Sequence, residues 1–258
     1  EAGHAGHAMV VGQEAMTTGT LYGVGVGPGA PDLITLRAWR LLTGVPVIAW
    51  PAPGDGDSFA RSIVAGCIRA DHVEIPIRVP MRTERFPAAE VYDAAAVEIA
   101  AHLDAGRDVA VLCEGDPFFF GSFMYLFQRL SDRYPFEIVP GVSSVMAGGA
   151  AIARPLAARN EVFSVIPAPL GDDRIEAQLA ACDAAAIIKV GRHLGRMRAL
   201  LDRCGLTAQS CYAERLTLET QKLARLDDMP GDAAPYFSMI LVYKGDEAWP
   251  SPVLETGS

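Results

Sequence analysis

"YGVGVGPGAPDLITL", residues Tyr22 to Leu36, sets glycines at 23, 25, 27 and 29 between a short apolar run and a helix-like segment. Gly25-Val26-Gly27-Pro28-Gly29-Ala30 satisfies the G-x-G-x-x-G/A string of a dinucleotide-binding turn. Such a turn needs its helix to start on the glycines, and an acidic residue at the end of the next strand to hold a ribose. Here Pro28 and Pro31 interrupt the turn, the helix is expected near Asp32, and the next apolar run ends in Ala49-Trp50-Pro51 without an acid. A nicotinamide oxidoreductase therefore loses most of its support. What survives is physical: glycine tolerates unusual backbone angles and lets another backbone or a ligand come close, while proline stiffens the turn. A tight strand-to-helix connection with no ligand satisfies the same pattern.

Working outward, β-rich apolar runs alternate with helical patterns. "TLYGVGV", "VPVIAW", "HVEIPI", "DVAVLC" and "FEIVPG" read as five strands. Between them lie a helix with Ile34, Ala38, Leu41 and Leu42 on one face, a helix from near Ser58 as N-cap, and a long helix from Val91 to Leu103 stopped by Gly106. This alternation predicts a mostly parallel sheet covered by helices. A small-residue helix, Ser143 to Ala153, then runs into "RPLAARN", a polar, proline-bearing boundary. Beyond it come strand "VFSVIP", a helix around Arg174 to Ala181, strand "AAIIKV", helix Leu194 to Leu201, and strands "QSCYAE" and "FSMILVYKG". The expected fold is α/β with two α/β domains, residues 17–145 and 155–248, a mixed sheet in the second, a flexible tail at 1–16, and an interdomain helix and linker at 146–154.

A formal charge of −9 argues against general attraction to nucleic acid or an anionic membrane surface, and a polyanionic substrate would need a local basic patch. The five cysteines form no C-x-x-C pair, which suggests neither a disulfide framework nor a zinc knuckle and fits a reducing, cytoplasmic setting. No metal is expected; His4 and His7 in the first residues lack a carboxylate or cysteine partner. The small apolar stretch from Val145 to Ala153 is about half a membrane span and Arg154 ends it. "EAGHAGHAMVVGQEAMTTG" has no charged start followed by an apolar core, so it reads as a loose tail and not a secretory signal.

Two more stretches carry chemistry. In "VAVLCEGDPFFFGSFMYLFQRL", Val109 to Leu130, a buried strand ends at Cys113 and Glu114-Gly115-Asp116-Pro117 forms the loop at its carboxyl end, the edge where open α/β sheets bind ligands. Gly115 offers bare main chain and Asp116 a carboxylate; a plain β-turn before an aromatic core reads equally well. In "VPGVSSVMAGGAA", Pro140-Gly141 leads into a helix capped by Ser143 or Ser144, whose first N–H groups can receive a polar ligand or only the cap itself.

Together with "GVGPGAPDLITLRAWRLL", "AAIIKVGRHLGRMRALL" and "APYFSMILV", these stretches resemble the tetrapyrrole (corrin/porphyrin) methylase family from Thr20 to about Lys244. "GRDVAVLCEGDPFFFGSFMYL" and "KVGRHLGRMR" are most similar to its branch acting on C-20 of precorrin-2. The resemblance implies homodimers of two α/β domains with S-adenosylmethionine folded in the cleft between them, S-adenosylhomocysteine as product, and a tetrapyrrole as substrate. It puts Cys113, Gly115, Asp116, Phe119, Ser143, Ser144, Val190 and Met239 beside the cofactor, and Gly27, Pro28 and Gly29 near the substrate trough. Ala30 and Phe120 depart from the acidic residue and tyrosine that many relatives carry there.

The implied reaction methylates precorrin-2 at C-20 to give precorrin-3A in cobalamin biosynthesis; a cobalt-bearing substrate or another ring carbon are alternatives, as is tetrapyrrole binding without catalysis. Alignment and exclusion of water would do most of the work, with no catalytic triad. Glu114 and Tyr212 are candidate general bases, although no spacing selects them. For the substrate's carboxylates the candidates are Arg82, Arg85 and Arg192, with Arg154, Arg159, Lys189 and His193 in the same basic segments. Arg196 and Arg203 read as a solvated helix face.

Overall fold

The structure, a computed structural model, describes residues 18–54, 56–79 and 87–254. The first half alternates strands and helices: β1 (Leu21–Gly25), α1 (Leu36–Leu42), β2 (Val47–Pro53), α2 (Phe59–Ile63), β3 (Val73–Val79), α3 (Pro87–Asp104), β4 (Val109–Cys113), α4 (Phe123–Leu130) and β5 (Phe136–Val139). The five strands pair in the order β3-β2-β4-β1-β5, all parallel. β4 is buried along its whole length. Helices cover both faces: Ile99, Leu103, Phe123 and Leu126 pack on one side, Ala38, Leu42, Ala60 and Ile63 on the other. Gly23 in β1 admits Phe123 of α4, whose ring would lie 2.5 Å from a Cβ at that position.

Local chemistry sets the helix starts. Residues 31–33 make only a 3-10 turn; α1 begins at Leu36, where the Thr35 hydroxyl accepts from the Ala38 N–H at 3.2 Å. This is a few residues later than expected. Ser58 caps α2 as expected, accepting from the Arg61 N–H at 3.3 Å. α4 was not foreseen: the aromatic run hid a stripe of Phe123, Leu126 and Leu130 that turns to the core.

α5 (Ser144–Ala151) follows, capped by Ser143, whose hydroxyl accepts from the Val145 N–H at 3.2 Å. The second half comprises β6 (Phe163–Pro167), α6 (Asp172–Ala180), β7 (Ala184–Ile188), α7 (Leu194–Arg203), β8 (Ser210–Glu214), β9 (Lys222–Arg225) and β10 (Ser238–Tyr243). Its sheet runs β6-β7-β10-β8-β9, with β6 and β7 parallel and the other pairs antiparallel, the mixed sheet expected. β9, too short and polar to stand out in the sequence, closes its edge. α6 and α7 cover one face, while α5 packs on the other, with Gly148 bringing it against Leu241 and Met239.

Among the described residues no helix is long and apolar enough to cross a membrane, and no group of three or more His, Cys, Asp or Glu is placed to hold a metal ion. His4 and His7 lie outside the described residues. All five cysteines are free thiols.

Candidate functional site

Parallel register brings the carboxyl ends of β1, β4 and β5 to one edge: Gly25 lies opposite Cys113, and Val24 opposite Val139. Beyond the strands the backbones stay in contact. The Gly115 N–H donates to the Gly27 carbonyl at 2.8 Å, and the Gly27 N–H donates back at 3.3 Å. Both glycines have positive φ, +83° at Gly27 and +64° at Gly115, a region that L side chains avoid. A Cβ on Gly141 would fall 2.0 Å from the Gly115 oxygen and 2.8 Å from Gly25 Cα, so three main chains meet with no room for a side chain. Asp116 ties the junction together: its Oδ2 accepts from the Gly141 N–H at 3.1 Å and its Oδ1 from the Phe118 N–H at 2.9 Å.

The two halves face each other across this edge. The Ala30 N–H donates to Thr217 Oγ1 at 2.8 Å, and a Cβ on Gly29 would sit 2.9 Å from the Leu216 oxygen. The glycine-proline turn thus lets another backbone approach, and the neighbour is the second sheet's own loop. Phe59 of α2 packs on Phe237 with ring centroids 4.5 Å apart, and the Lys189 ammonium lies 5.2 Å from the Phe120 ring centroid.

Between these contacts is a cleft of about 460 Å³. Pro28, Glu114, Gly115, Asp116, Phe119 and Phe120 form part of its first-half wall; Ser143, Ser144 and Val145 at the start of α5 form its floor; Ile188, Lys189, Phe237, Ser238 and Met239 face them. Burial pushes the Glu114 carboxyl above its ordinary value, against the opposing effect of main-chain N–H groups of Glu114 and Ala60. Tyr92, also on the wall, has its hydroxyl pushed up by burial. The donor set combines exposed main chain at Gly115, serine hydroxyls, aromatic faces and acidic side chains. Such a set suits a ligand with an aromatic ring, hydroxyls and a positive centre.

The sequence-derived candidates fall into distinct places. Gly115, Asp116, Phe119, Ser143, Ser144, Met239, Pro28 and Glu114 come together on the cleft wall. Gly27 and Gly29 stand behind Pro28, fixing the turn through the contacts just given. Cys113 and Val190 are buried in the two cores and do not line the cleft. Burial lifts the Cys113 thiol to about 12, so it stays protonated and inert. Tyr212 is fully buried off the wall, its hydroxyl hydrogen-bonded to Glu214 and its pKa raised by burial. Tyr212 is thus a core residue, away from the cleft in which a general base would act.

The basic candidates scatter. Arg82 and Arg85 lie outside the described residues. Arg154 stacks 4.7 Å over the Tyr243 ring, and Arg159 pairs with Glu247 at 3.2 Å. Arg192 is exposed in the 3-10 turn after β7 and His193 follows it, both off the cleft wall. Arg196 and Arg203 do not form a merely solvated face: both pair with Asp172 of α6, and Arg203 also with Glu176. Lys189 alone among these lines the cleft. Also on the wall, Tyr92 was missed because its helix carries no local motif, and Phe237 and Ser238 because the segment that holds them was read only for Met239.

The sequence model described as Tetrapyrrole (Corrin/Porphyrin) Methylases matches residues 20–229. A precorrin-2 C(20)-methyltransferase of Sinorhizobium sp is 38% identical over 232 residues, covering 87% of this chain and 95% of the relative. A cobalt-precorrin-2 C(20)-methyltransferase of Salmonella typhimurium is 34% identical, covering 88% of this chain and 97% of the relative. Among solved structures, the uroporphyrin-III C-methyl transferase of Thermus thermophilus, complexed with S-adenyl homocysteine, superposes with a TM-score of 0.62 at 25% identity, covering 87% of this chain and 97% of that one. With two α/β sheets meeting at a glycine-built cleft and a match running through both, the chain belongs to the tetrapyrrole (corrin/porphyrin) methylases.

Proposed function

We propose that the protein transfers the methyl group of S-adenosylmethionine to C-20 of precorrin-2, giving precorrin-3A on the route to cobalamin. The observation that carries this is similarity over nearly the whole length of a precorrin-2 C(20)-methyltransferase, 95% of that relative, combined with an intact Gly115-Asp116 loop on the wall of the interdomain cleft. S-adenosylmethionine supplies an activated sulfonium methyl, which the electron-rich C-20 takes by in-line displacement as the carbon–sulfur bond breaks. The chain's residues hold and orient. Gly115 presents bare main chain, with nothing nearer than 3.8 Å to where a Cβ would stand. Ser143, Ser144 and Met239 would surround the cofactor's polar groups, and Phe119 would offer an aromatic face. Asp116 acts by shaping the loop, since both its oxygens are engaged by main-chain N–H groups. Pro28 borders the substrate side.

Glu114 is the proton acceptor for C-20 in this reading. Of the two wall carboxylates beside Gly115, Asp116 is engaged at both oxygens by main-chain N–H groups, while the pKa of Glu114 is raised by burial, which brings its basicity closer to neutral pH. Contacts between the halves at Phe59–Phe237 and Ala30–Thr217 keep the cleft narrow and limit water. The same reading carries a homodimer and a cytoplasmic place of action. Exposed Leu36, Trp39 and Met146 supply apolar surface for the first, and five free thiols suit the second.

The test is an anaerobic incubation with precorrin-2 and methyl-carbon-13 S-adenosylmethionine, read by mass and NMR, with cobalt-precorrin-2 in parallel. One labelled methyl at C-20 of precorrin-2 is the expected product. Turnover of the cobalt form alone moves the substrate to the metallated ring, and a methyl at another carbon refutes the position. Sedimentation velocity reads the dimer.

A further inference from the structure

The cleft wall holds three carboxylates, Asp57, Glu114 and Asp116, and among the described residues a single cation, Lys189. Lys189 has φ +59° and its partner Phe120 has φ +57°, so each contributes a non-glycine residue in the left-handed region, one from each half of the protein. Such backbone is disfavoured for L-residues and persists where the surrounding structure over-determines it; of the six non-glycine residues that adopt it among the described residues, Lys189 and Phe120 both line the cleft. The two side chains meet across the cleft, the ammonium 5.2 Å from the ring centroid. Lys189 makes no salt bridge among the described residues, although acidic groups share its cleft.

A cation resting on an aromatic face is weakly held compared with a charge-assisted hydrogen bond to a carboxylate. A sulfonium would be repelled by an ammonium and favoured by the acidic wall, which assigns Lys189 to the other ligand. We propose that Lys189 is the carboxylate-receiving residue of the cleft, leaving the Phe120 ring to bind one side-chain carboxylate of the tetrapyrrole. The inference rests on the methyltransferase reading for its substrate class, and it resolves how an acidic chain draws a polyanion into an acidic cleft.

The test uses the full chain with Lys189→Met and Lys189→Arg. Uroporphyrin III, a stable tetrapyrrole with eight carboxylates, serves as binding probe by fluorescence titration at low and high salt. S-adenosylhomocysteine affinity is measured by calorimetry, and KM and kcat with precorrin-2. Lys189→Met is expected to weaken uroporphyrin binding and raise the precorrin-2 KM by about tenfold or more, flatten the salt dependence, and leave kcat and the S-adenosylhomocysteine Kd within about threefold. Lys189→Arg keeps the charge and can still pair with a carboxylate, so it is expected to retain most of the uroporphyrin affinity that Lys189→Met loses. Wild-type uroporphyrin affinity in Lys189→Met, equal losses in both variants, or a loss falling on S-adenosylhomocysteine overturns the assignment. Because uroporphyrin binding does not depend on which carbon is methylated, failure of the C-20 reaction leaves this result readable. A parent protein that binds no uroporphyrin overturns the assignment too.

Discussion

Gly141→Ala tests whether the junction of three main chains builds the site. The added Cβ would stand 2.0 Å from the Gly115 carbonyl oxygen and 2.8 Å from both the Cα and the carbonyl carbon of Gly25, where about 3.0 Å is the closest approach tolerated. No rotamer relieves the clash, since every opposing atom is backbone, and the loops must part by about 1 Å while Asp116 still draws the Gly141 N–H inward. Overpacking of this kind costs up to about 3 kcal/mol, and at roughly 2–4 °C per kcal/mol for a chain of this size the melting temperature falls by about 6–12 °C. Thermal melts by circular dichroism read the stability, and calorimetry with S-adenosylhomocysteine reads the cleft. Gly115→Ala is the control: its Cβ meets nothing within 3.8 Å, so only the φ of +64° penalises it, by about 1–2 kcal/mol, yet it intrudes where ligand main-chain access is needed. Gly141→Ala should therefore lose more stability and Gly115→Ala more affinity per degree lost. A Gly141→Ala protein melting within about 2 °C of the parent would refute the tight junction.

Glu114→Gln should raise the melting temperature at neutral pH while lowering kcat. The folded pKa lies above the unfolded value, so the folded form binds the extra proton between the two, and the group's contribution falls as pH rises from about 4.5 through the raised value. The glutamine variant should lack that downward slope, and superimposable melting-temperature profiles would refute it. Asp116→Ala leaves the Gly141 and Phe118 N–H groups without their acceptor; a loss of about 1–3 kcal/mol in denaturant melts and weaker S-adenosylhomocysteine binding are expected. Arg196 donates to the Leu170 carbonyl at 3.1 Å and binds Asp172, so Arg196→Ala should lose about 1–3 kcal/mol of stability with precorrin-2 KM unchanged. A raised KM there would refute this structural role and make Arg196 a substrate residue.

Most of the architecture was legible because its signals are local. Buried strands such as "DVAVLC" read as continuous apolar runs, and caps at Ser58 and Ser143 sit where side-chain oxygens meet the first free N–H groups. β9 escaped because its four residues take their strand conformation from pairing with β8, not from their own pattern. α4 escaped because Phe118, Phe119 and Phe120 mask the start of its periodic stripe. The glycines were legible as places of close approach, but which chain segment approaches is a matter of tertiary structure: at Gly141 it is Gly115 and Gly25, at Gly29 it is Leu216 and Thr217.

The basic residues show the limit most clearly. Sequence order grouped Lys189 with Arg192 and His193, yet a few residues of turn decide their fates. Gly191 at φ +33° and Lys189 at φ +59° swing the chain so that Lys189 faces the cleft while Arg192 points away from its wall. Arg154, Arg159, Arg196 and Arg203 were equally eligible by charge and are instead absorbed by Tyr243, Glu247, Asp172 and Glu176. Many arginines of this acidic protein find a local carboxylate or aromatic ring, and among the described residues the cation that lines the cleft is Lys189, held in left-handed backbone. Positive φ alone does not mark that cation, since Arg159 and Arg215 share it; left-handed backbone combined with a place on the cleft wall does, and neither is visible in any spacing.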